Sequence, residues 1–161
     1  MPDGLDDIPV PQLEFVFESV SPLTGRNWTG TYPKGLRGWS EGEFGVGTFE
    51  GPAIRGRIWS GGDWPYRTDA FTEFDSRSFL ETDDGYFIYL QNRGKLFATK
   101  ELRAKLAAEI PVDPSEYYFR ATPVFDAPPD SPYAWMSRTM FVAVASRRYD
   151  MSVQQRIFRI L

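Results

Sequence analysis

Between Asp63 and Asp69 the chain sets two carboxylates, the guanidinium of Arg67 and two large aromatics, Trp64 and Tyr66, within seven residues. A carboxylate among aromatic side chains is pushed toward its neutral form by desolvation and can act as general acid or base. A guanidinium nearby can hold an enolate, phenolate or carboxylate. Gly61 and Gly62 just before this stretch predict a sharp turn at low steric cost. A surface hairpin turn needs only Asn, Asp, Gly or Ser. The indole and the guanidinium therefore point either to the lining of a pocket or to a packed structural corner.

Further groups of the same kind lie on strand-like runs downstream. The proton-transfer set read from the sequence is Asp63 as base, Arg120 as oxyanion clamp, Tyr118 as relay and Asp75 as a second carboxylate. The ligand-binding set is Trp64, Arg67, Asp69, Asn92, Trp135 and Arg138. The plainer alternative is that these Asp and Arg residues pair with each other inside the fold or at strand ends and do no chemistry.

The chain has no Cys and no His. That removes disulfides, a thiol nucleophile, iron–sulfur ligation, a Ser–His pair and an imidazole base or metal ligand. Proton transfer is left to Asp, Glu, Tyr and Lys. An oxygen-only site for calcium or magnesium would remain open, but no D-x-D-x-D-G loop is present, so neither a metal nor a cofactor is expected. With 18 basic and 22 acidic residues the net charge is -4, and the basic residues are scattered, so no nucleic-acid partner is expected. No apolar run reaches membrane-spanning length, and the first seven residues hold three aspartates and no Lys or Arg, the wrong sign for a secretory leader. The expectation is a soluble cytoplasmic protein with a small organic ligand or substrate and no membrane partner. Barrels with an exposed apolar face often pair, which makes a homodimer an expected assembly.

The elements that must position these groups read as all-β. Residues 1–12 are Pro- and Asp-rich and form a tail; 13–161 form one domain. Leu13 to Val20 alternates as a first strand, and Ser21 to Arg37, with Pro22, Gly25, Gly30, Pro33 and Gly35, reads as a loop holding a short strand near Asn27 to Thr31. The glycines recurring from Gly38 to Trp59 suit bulges and the bends of a curled sheet. Ala70 to Thr82 alternates a charged face that also carries Phe71 and Phe79 against Thr72, Phe74, Ser76 and Ser78. Neither face is purely apolar, as in a barrel wall around a partly polar lumen. Asp83-Asp84-Gly85 signals a hairpin, and the strand after it is expected to end at Asn92-Arg93-Gly94.

Leu96 to Ile110 is the one helix expected, with Thr99 as its N-cap, Pro111 and Pro114 beyond its end, and a narrow apolar stripe that would rest on the barrel as a lid or plug. Strands are further expected over Tyr117 to Phe125, Tyr133 to Ser146 and Ser152 to Leu161, with a stiff proline loop from Asp126 to Pro132. The count is eight to nine strands closing into a single antiparallel β-barrel with a central pocket.

The order of several short motifs resembles the family known as domain of unknown function 3237, or uncharacterised protein family 0311. The matching pieces are Gly51-Pro52, Gly61-Gly62-Asp63-Trp64 with Arg67 and Asp69, Asp75-x-Arg77 leading to Thr82-x-Asp84-Gly85, and Asn92-x-Gly94. Tyr118-Phe119-Arg120-x-x-Pro123-x-Phe125 and Tyr133-x-Trp135 before Phe141-Val142 complete them. The resemblance implies an up-and-down, calycin-like β-barrel with a central cavity. It implies no particular chemistry, since fold does not fix function.

Two function classes follow. One is a cofactor-independent lyase, isomerase or cyclase moving protons on a small aromatic or polyketide-like metabolite. The other is a non-catalytic, lipocalin-like carrier or sensor, for which the five tryptophans supply apolar lining. Loss of one Asp would lower a carrier's affinity modestly and an enzyme's rate by orders of magnitude.

Overall fold

A computed structural model of the protein describes residues 8–161 apart from residues 43, 149 and 151. Its strands are β1 (Leu13–Ser21), β2 (Leu23–Tyr32), β3 (Gly35–Gly42), β4 (Phe44–Glu50), β5 (Arg55–Asp63) and β6 (Tyr66–Arg67). These are followed by β7 (Phe71–Thr82), β8 (Phe87–Phe97), β9 (Tyr118–Asp126), β10 (Phe141–Arg147) and β11 (Val153–Ile160). The helix α1 (Lys100–Ala107) lies between β8 and β9.

Three pairs of these strands are continuous runs. β3 and β4 keep one register against β5 and β6 across their break, and β5 and β6 do the same against β7. β1 pairs with β4 and β2 with β3. With β7 to β11 as single strands the result is eight staves, each antiparallel to the next in sequence, and β11 returns to pair with β1. This is a closed up-and-down barrel, which leaves no sheet edge around its girth.

Alternation decides which side chains fill it. In β9, Phe119, Ala121, Pro123 and Phe125 are buried inward while Tyr118, Thr122, Val124 and Asp126 are exposed. One end of the barrel is a solid apolar core in which Phe17, Leu80, Ile88 and Ile157 have 2% exposure or less. Each such side chain contributes about 1.5–3 kcal/mol relative to an exposed position. Met136, on a 3-10 helix at Ala134–Arg138, packs into that end. The other end is a smaller cluster of Ala98, Tyr117, Phe119, Ala145 and Val153, on which Leu102 and Leu106 of α1 rest. The helix thus lies on the barrel's end, and Thr99 caps it by accepting from the Leu102 N–H at 3.3 Å.

Several local expectations are corrected. Gly61-Gly62 does not turn: β5 runs through it, and this stave is interrupted at Trp64-Pro65, where the Trp64 N–H reaches the Asp75 carbonyl at 3.1 Å. The chain reverses after Arg67 instead, with the Thr68 N–H donating to Phe71 O at 2.9 Å. Residues 21–37 are largely strand, because Gly30 at φ 143° and Gly35 at φ 136° serve a register shift and a turn within paired backbone. β8 passes through Asn92-Arg93-Gly94 in unbroken register with β7. The helix is shorter than Leu96 to Ile110, since Leu96 and Phe97 pair with β7 and β9. The long strand expected from Tyr133 begins only at Phe141, after the 3-10 helix. Among the described residues, no helix is long and apolar enough to cross a membrane.

Candidate functional site

Between its two apolar ends the lumen holds a cavity of about 100 Å³ whose largely apolar wall is set with polar groups. The polar groups come from the inward faces of the staves: Ser19 from β1, Ser40 from β3, Asp63 from β5, Thr72 and Ser76 from β7, Asn92 from β8 and Gln155 from β11. Phe74 and Phe119 meet edge to face at 5.3 Å and form an aromatic part of the same wall.

Asp63 is 8% exposed, and its Oδ1 accepts the backbone N–H of Asp75 at 3.1 Å. Strand alternation sends the two carboxylates to opposite sides of the wall, so this link joins the side chain of one to the backbone of the other. Asn92 is 2% exposed; its Nδ2 donates to Gln155 Oε1 at 2.9 Å, while its Oδ1 is buried with no hydrogen-bond partner. Ser40 Oγ is likewise buried and unpartnered. Buried polar atoms are nearly always satisfied, and an orphan acceptor costs about 1–3 kcal/mol. Two in one cavity mark a place suited to a bound polar molecule.

Two arginines border this cavity: Arg77, whose guanidinium pairs with Asp75 at 3.6 Å, and Arg147, the last residue of β10. Burial pushes the pKa of Arg147 below the usual arginine range, the like charge of Arg67 adds to that push, and Asp63 and Tyr117 oppose it. Arginine stays charged at neutral pH all the same. The Tyr117 hydroxyl accepts the Arg147 backbone N–H at 2.9 Å and fixes the end of the strand.

Of the residues predicted from sequence, Asp63 and Asn92 line the cavity. Arg120 and Tyr118 stand on the outer face of β9, where Arg120 donates to the Phe119 carbonyl at 2.9 Å and lies 5.1 Å from the Tyr118 ring centre. They border an outer groove together with Glu73, Arg93 and Lys95. Asp75 belongs to the same outer surface, bonded by Gln91 Nε2 at 3.1 Å and flanked by Arg77 at 3.6 Å and Arg93 at 3.9 Å. The charged face of β7 is thus the outside, and the Ser/Thr face is the lumen. Trp64 is 50% exposed, and Asp69 offers its backbone carbonyl to Arg103 at 2.6 Å. Trp135 packs on Phe141 and Arg159 near the opposite end, and Arg138 is exposed on the 3-10 helix beside it.

Arg67 lies over the Trp28 ring at 4.4 Å and borders a second space under α1. Arg67 keeps much surface exposed, yet burial of its guanidinium, followed by the like charge of Arg103, holds its pKa below the usual range.

Sequence reasoning missed Arg147, Gln155, Ser40, Thr72 and Ser76 as a group. The signal for Arg147 was present: Phe141, Ala143 and Ala145 are an inward alternation that reaches residue 147 on the same face. Among the described residues, no group of three or more acidic side chains is placed to hold a metal ion.

The chain matches the family model described as a protein of unknown function, DUF3237, over residues 11–160. It is 35% identical over 109 residues to the UPF0311 protein RPA1785 of Rhodopseudomonas palustris, covering 66% of this chain and 71% of that one. The crystal structure of RPA1785, a conserved protein of unknown function, superposes with a TM-score of 0.85 at 29% identity, over 96% of this chain and 100% of the other. A β-barrel-like protein from Acinetobacter baumannii is 34% identical with a TM-score of 0.80, covering 96% and 99% of the two chains. A structure described as an enzyme from Penicillium herquei shares the fold, with a TM-score of 0.68 at 17% identity over 98% of this chain and 100% of that one.

Proposed function

This chain belongs to the DUF3237 family, and from that premise we propose that its lumen binds a small organic molecule and moves a proton on it, Asp63 acting as general base and then acid. The observation that carries this reading is the buried Asp63 carboxylate in the same cavity as Arg147 and the orphan Asn92 Oδ1. Arg147 takes the clamp role that the sequence assigned to Arg120, because Arg120 lies outside the barrel.

The chemistry balances without an oxidant. Asp63 accepts a proton from a carbon next to a carbonyl, or from an enol or phenol hydroxyl conjugated with one, and the electron pair left behind develops charge on the carbonyl oxygen. Arg147 stabilises that oxyanion, and the proton returns from Asp63 to another atom of the same molecule. Return at a new position gives an isomerisation; attack by an internal hydroxyl or loss of a leaving group gives a cyclisation or elimination. A cavity of about 100 Å³ is smaller than the ~150 Å³ engineered void that takes benzene, so the reacting part of the molecule is small and any larger part lies at the mouth.

The test begins with a thermal-shift screen of small phenols, enolisable ketones and organic acids, each hit then followed by mass and chirality. Conversion that falls about 10²–10⁴-fold in Asp63→Asn, with binding retained, is the expected result. Undiminished conversion in that variant removes Asp63 from the role. Hits recovered unchanged favour the carrier reading, which the luminal cavity also suits, its aromatic lining coming from Phe17, Phe74 and Phe119 rather than from the tryptophans.

A further inference from the structure

The space beneath α1, about 440 Å³, is lined by four cationic side chains, Arg67, Lys100, Arg103 and Arg147, and by no carboxylate among the described residues. This occurs in a chain with a net charge of -4. Like charges gathered in a concavity repel: Arg103 depresses the pKa of Arg67, and Arg67 that of Arg147, in each case after burial. Elsewhere on the barrel basic groups pair with acids, as Arg55 does with Asp83 and Arg156 with Glu18, both at 2.9 Å. Arg67, Lys100 and Arg103 have no carboxylate within 4.0 Å among the described residues. Arg103 instead spends its guanidinium on the carbonyls of Thr68 at 3.3 Å and Asp69 at 2.6 Å, which ties α1 to the rim.

Thr72, Leu96 and Arg147 line both this space and the luminal cavity, so the two meet there. The register sets the distance from rim to interior. Thr72 faces Leu96 and Ser76 faces Asn92, four residues farther along the same pair of strands, or about 13 Å at 3.3 Å per residue. At the rim stand Arg67, Lys100 and Arg103 with no carboxylate within 4.0 Å among the described residues; at the inner level stands Asn92 Oδ1, buried and without a donor.

We propose that the ligand is an organic acid whose carboxylate rests among Arg67, Lys100, Arg103 and Arg147 at the mouth and whose far end donates a hydrogen bond to Asn92 Oδ1. The inference rests on the luminal site described above and names the class of molecule it takes. The mouth supplies charge that draws anions from solution, and the lumen supplies the acceptor that selects a hydroxyl at the other end.

The experiment uses 6-hydroxyhexanoate and 8-hydroxyoctanoate, their methyl esters, and hexanoate, slender chains that suit the small lumen, titrated calorimetrically into the full chain. The acids are expected to bind about tenfold or more tightly than their esters, as befits hydrogen bonds to charged groups. That preference should shrink on raising the salt toward 1 M. Lys100→Met, at an exposed position of α1, should reduce the acid-to-ester ratio about threefold or more without lowering the melting temperature. Removing the terminal hydroxyl, as in hexanoate, should weaken binding, and Asn92→Leu should erase that difference.

Equal affinity for acid and ester overturns the anion assignment while leaving a luminal ligand site in place. No binding by either acid also overturns it, and the luminal site is then judged by the separate library screen. An acid preference that Lys100→Met leaves unchanged overturns the placement at this mouth.

Discussion

The Asn92 side chain on β8 donates to the Gln155 side chain on β11 at 2.9 Å across the lumen, which commits the amide nitrogen to the wall and leaves Oδ1 without a partner. The pair gives the cavity a polar acceptor at a fixed height. Replacing both residues by leucine removes the bond and the orphan together, so stability is expected to stay within about 1 kcal/mol of the parent or to rise. Affinity for any ligand that donates to Asn92 should fall about tenfold. Urea melts and calorimetric titration of the same double variant check the two halves of this expectation.

The outer-face residues give the opposite expectation. Arg120→Met and Tyr118→Phe alter a groove on the far side of the β9 wall, so ligand binding and any turnover should match the parent protein. A loss of activity from either change, in a variant with an unaltered melting temperature, would move the site from the lumen to that groove.

A third expectation concerns acid. Glu18 of β1 accepts from Gln154 Nε2 at 2.6 Å and Arg156 Nε at 2.9 Å of β11, at the seam where the barrel closes. The hydrogen bond from Arg156, opposed by burial and assisted by Gln154, holds the Glu18 carboxyl below its usual 4.5. Such a group stabilises the fold fully above its unfolded pKa, and the contribution is lost as pH falls through the lower, folded value. Denaturant midpoints measured from about pH 5 to about pH 3 should fall more steeply in the parent than in Glu18→Gln.

Gly94 offers a test of packing. A β-carbon there would meet the Phe74 ring, the Arg120 carbonyl and, at 2.8 Å, the Ala121 β-carbon. Gly94→Ala should cost about 1–3 kcal/mol and displace Phe74 from its edge-to-face contact with Phe119. Chemical denaturation measures the first effect and near-ultraviolet circular dichroism the second.

The barrel itself was legible because alternation and turn residues are local signals. The faces of β7 were separated correctly, and the Asp83–Gly85 turn and the Thr99 cap stood where their chemistry placed them. What alternation leaves open is which face looks inward. On β7 one face carries Asp75 and the other Ser76, and only closure of the barrel sends the serine to the lumen and the acid to solvent. Asp63 stood out as a carboxylate beside Trp64 just after Gly61-Gly62, and Asn92 as part of the Asn92-x-Gly94 motif. Arg147 escaped because it precedes Arg148 and resembles the start of a solvated loop, while its place in the lumen depends on the β10–β11 register and on Tyr117, thirty residues earlier. The turn expected at Gly61-Gly62 failed because glycine in a barrel wall serves close approach as well as reversal: a β-carbon at Gly61 would lie 2.6 Å from the Arg77 carbonyl on β7.

The seam between β1 and β11 also orders events in time. Every other pair of staves joins neighbours in sequence and can zip together as a hairpin, whereas the Glu18–Arg156 and Glu14–Arg159 bridges span 138 and 145 residues. Loop-closure entropy therefore falls most heavily on this last pairing, and a chain caught before it is an open, curled sheet with two unpaired edges. The lumen has no interior until that step is complete. The cavity and the native state thus come into being together, and a molecule that occupies the one slows the loss of the other.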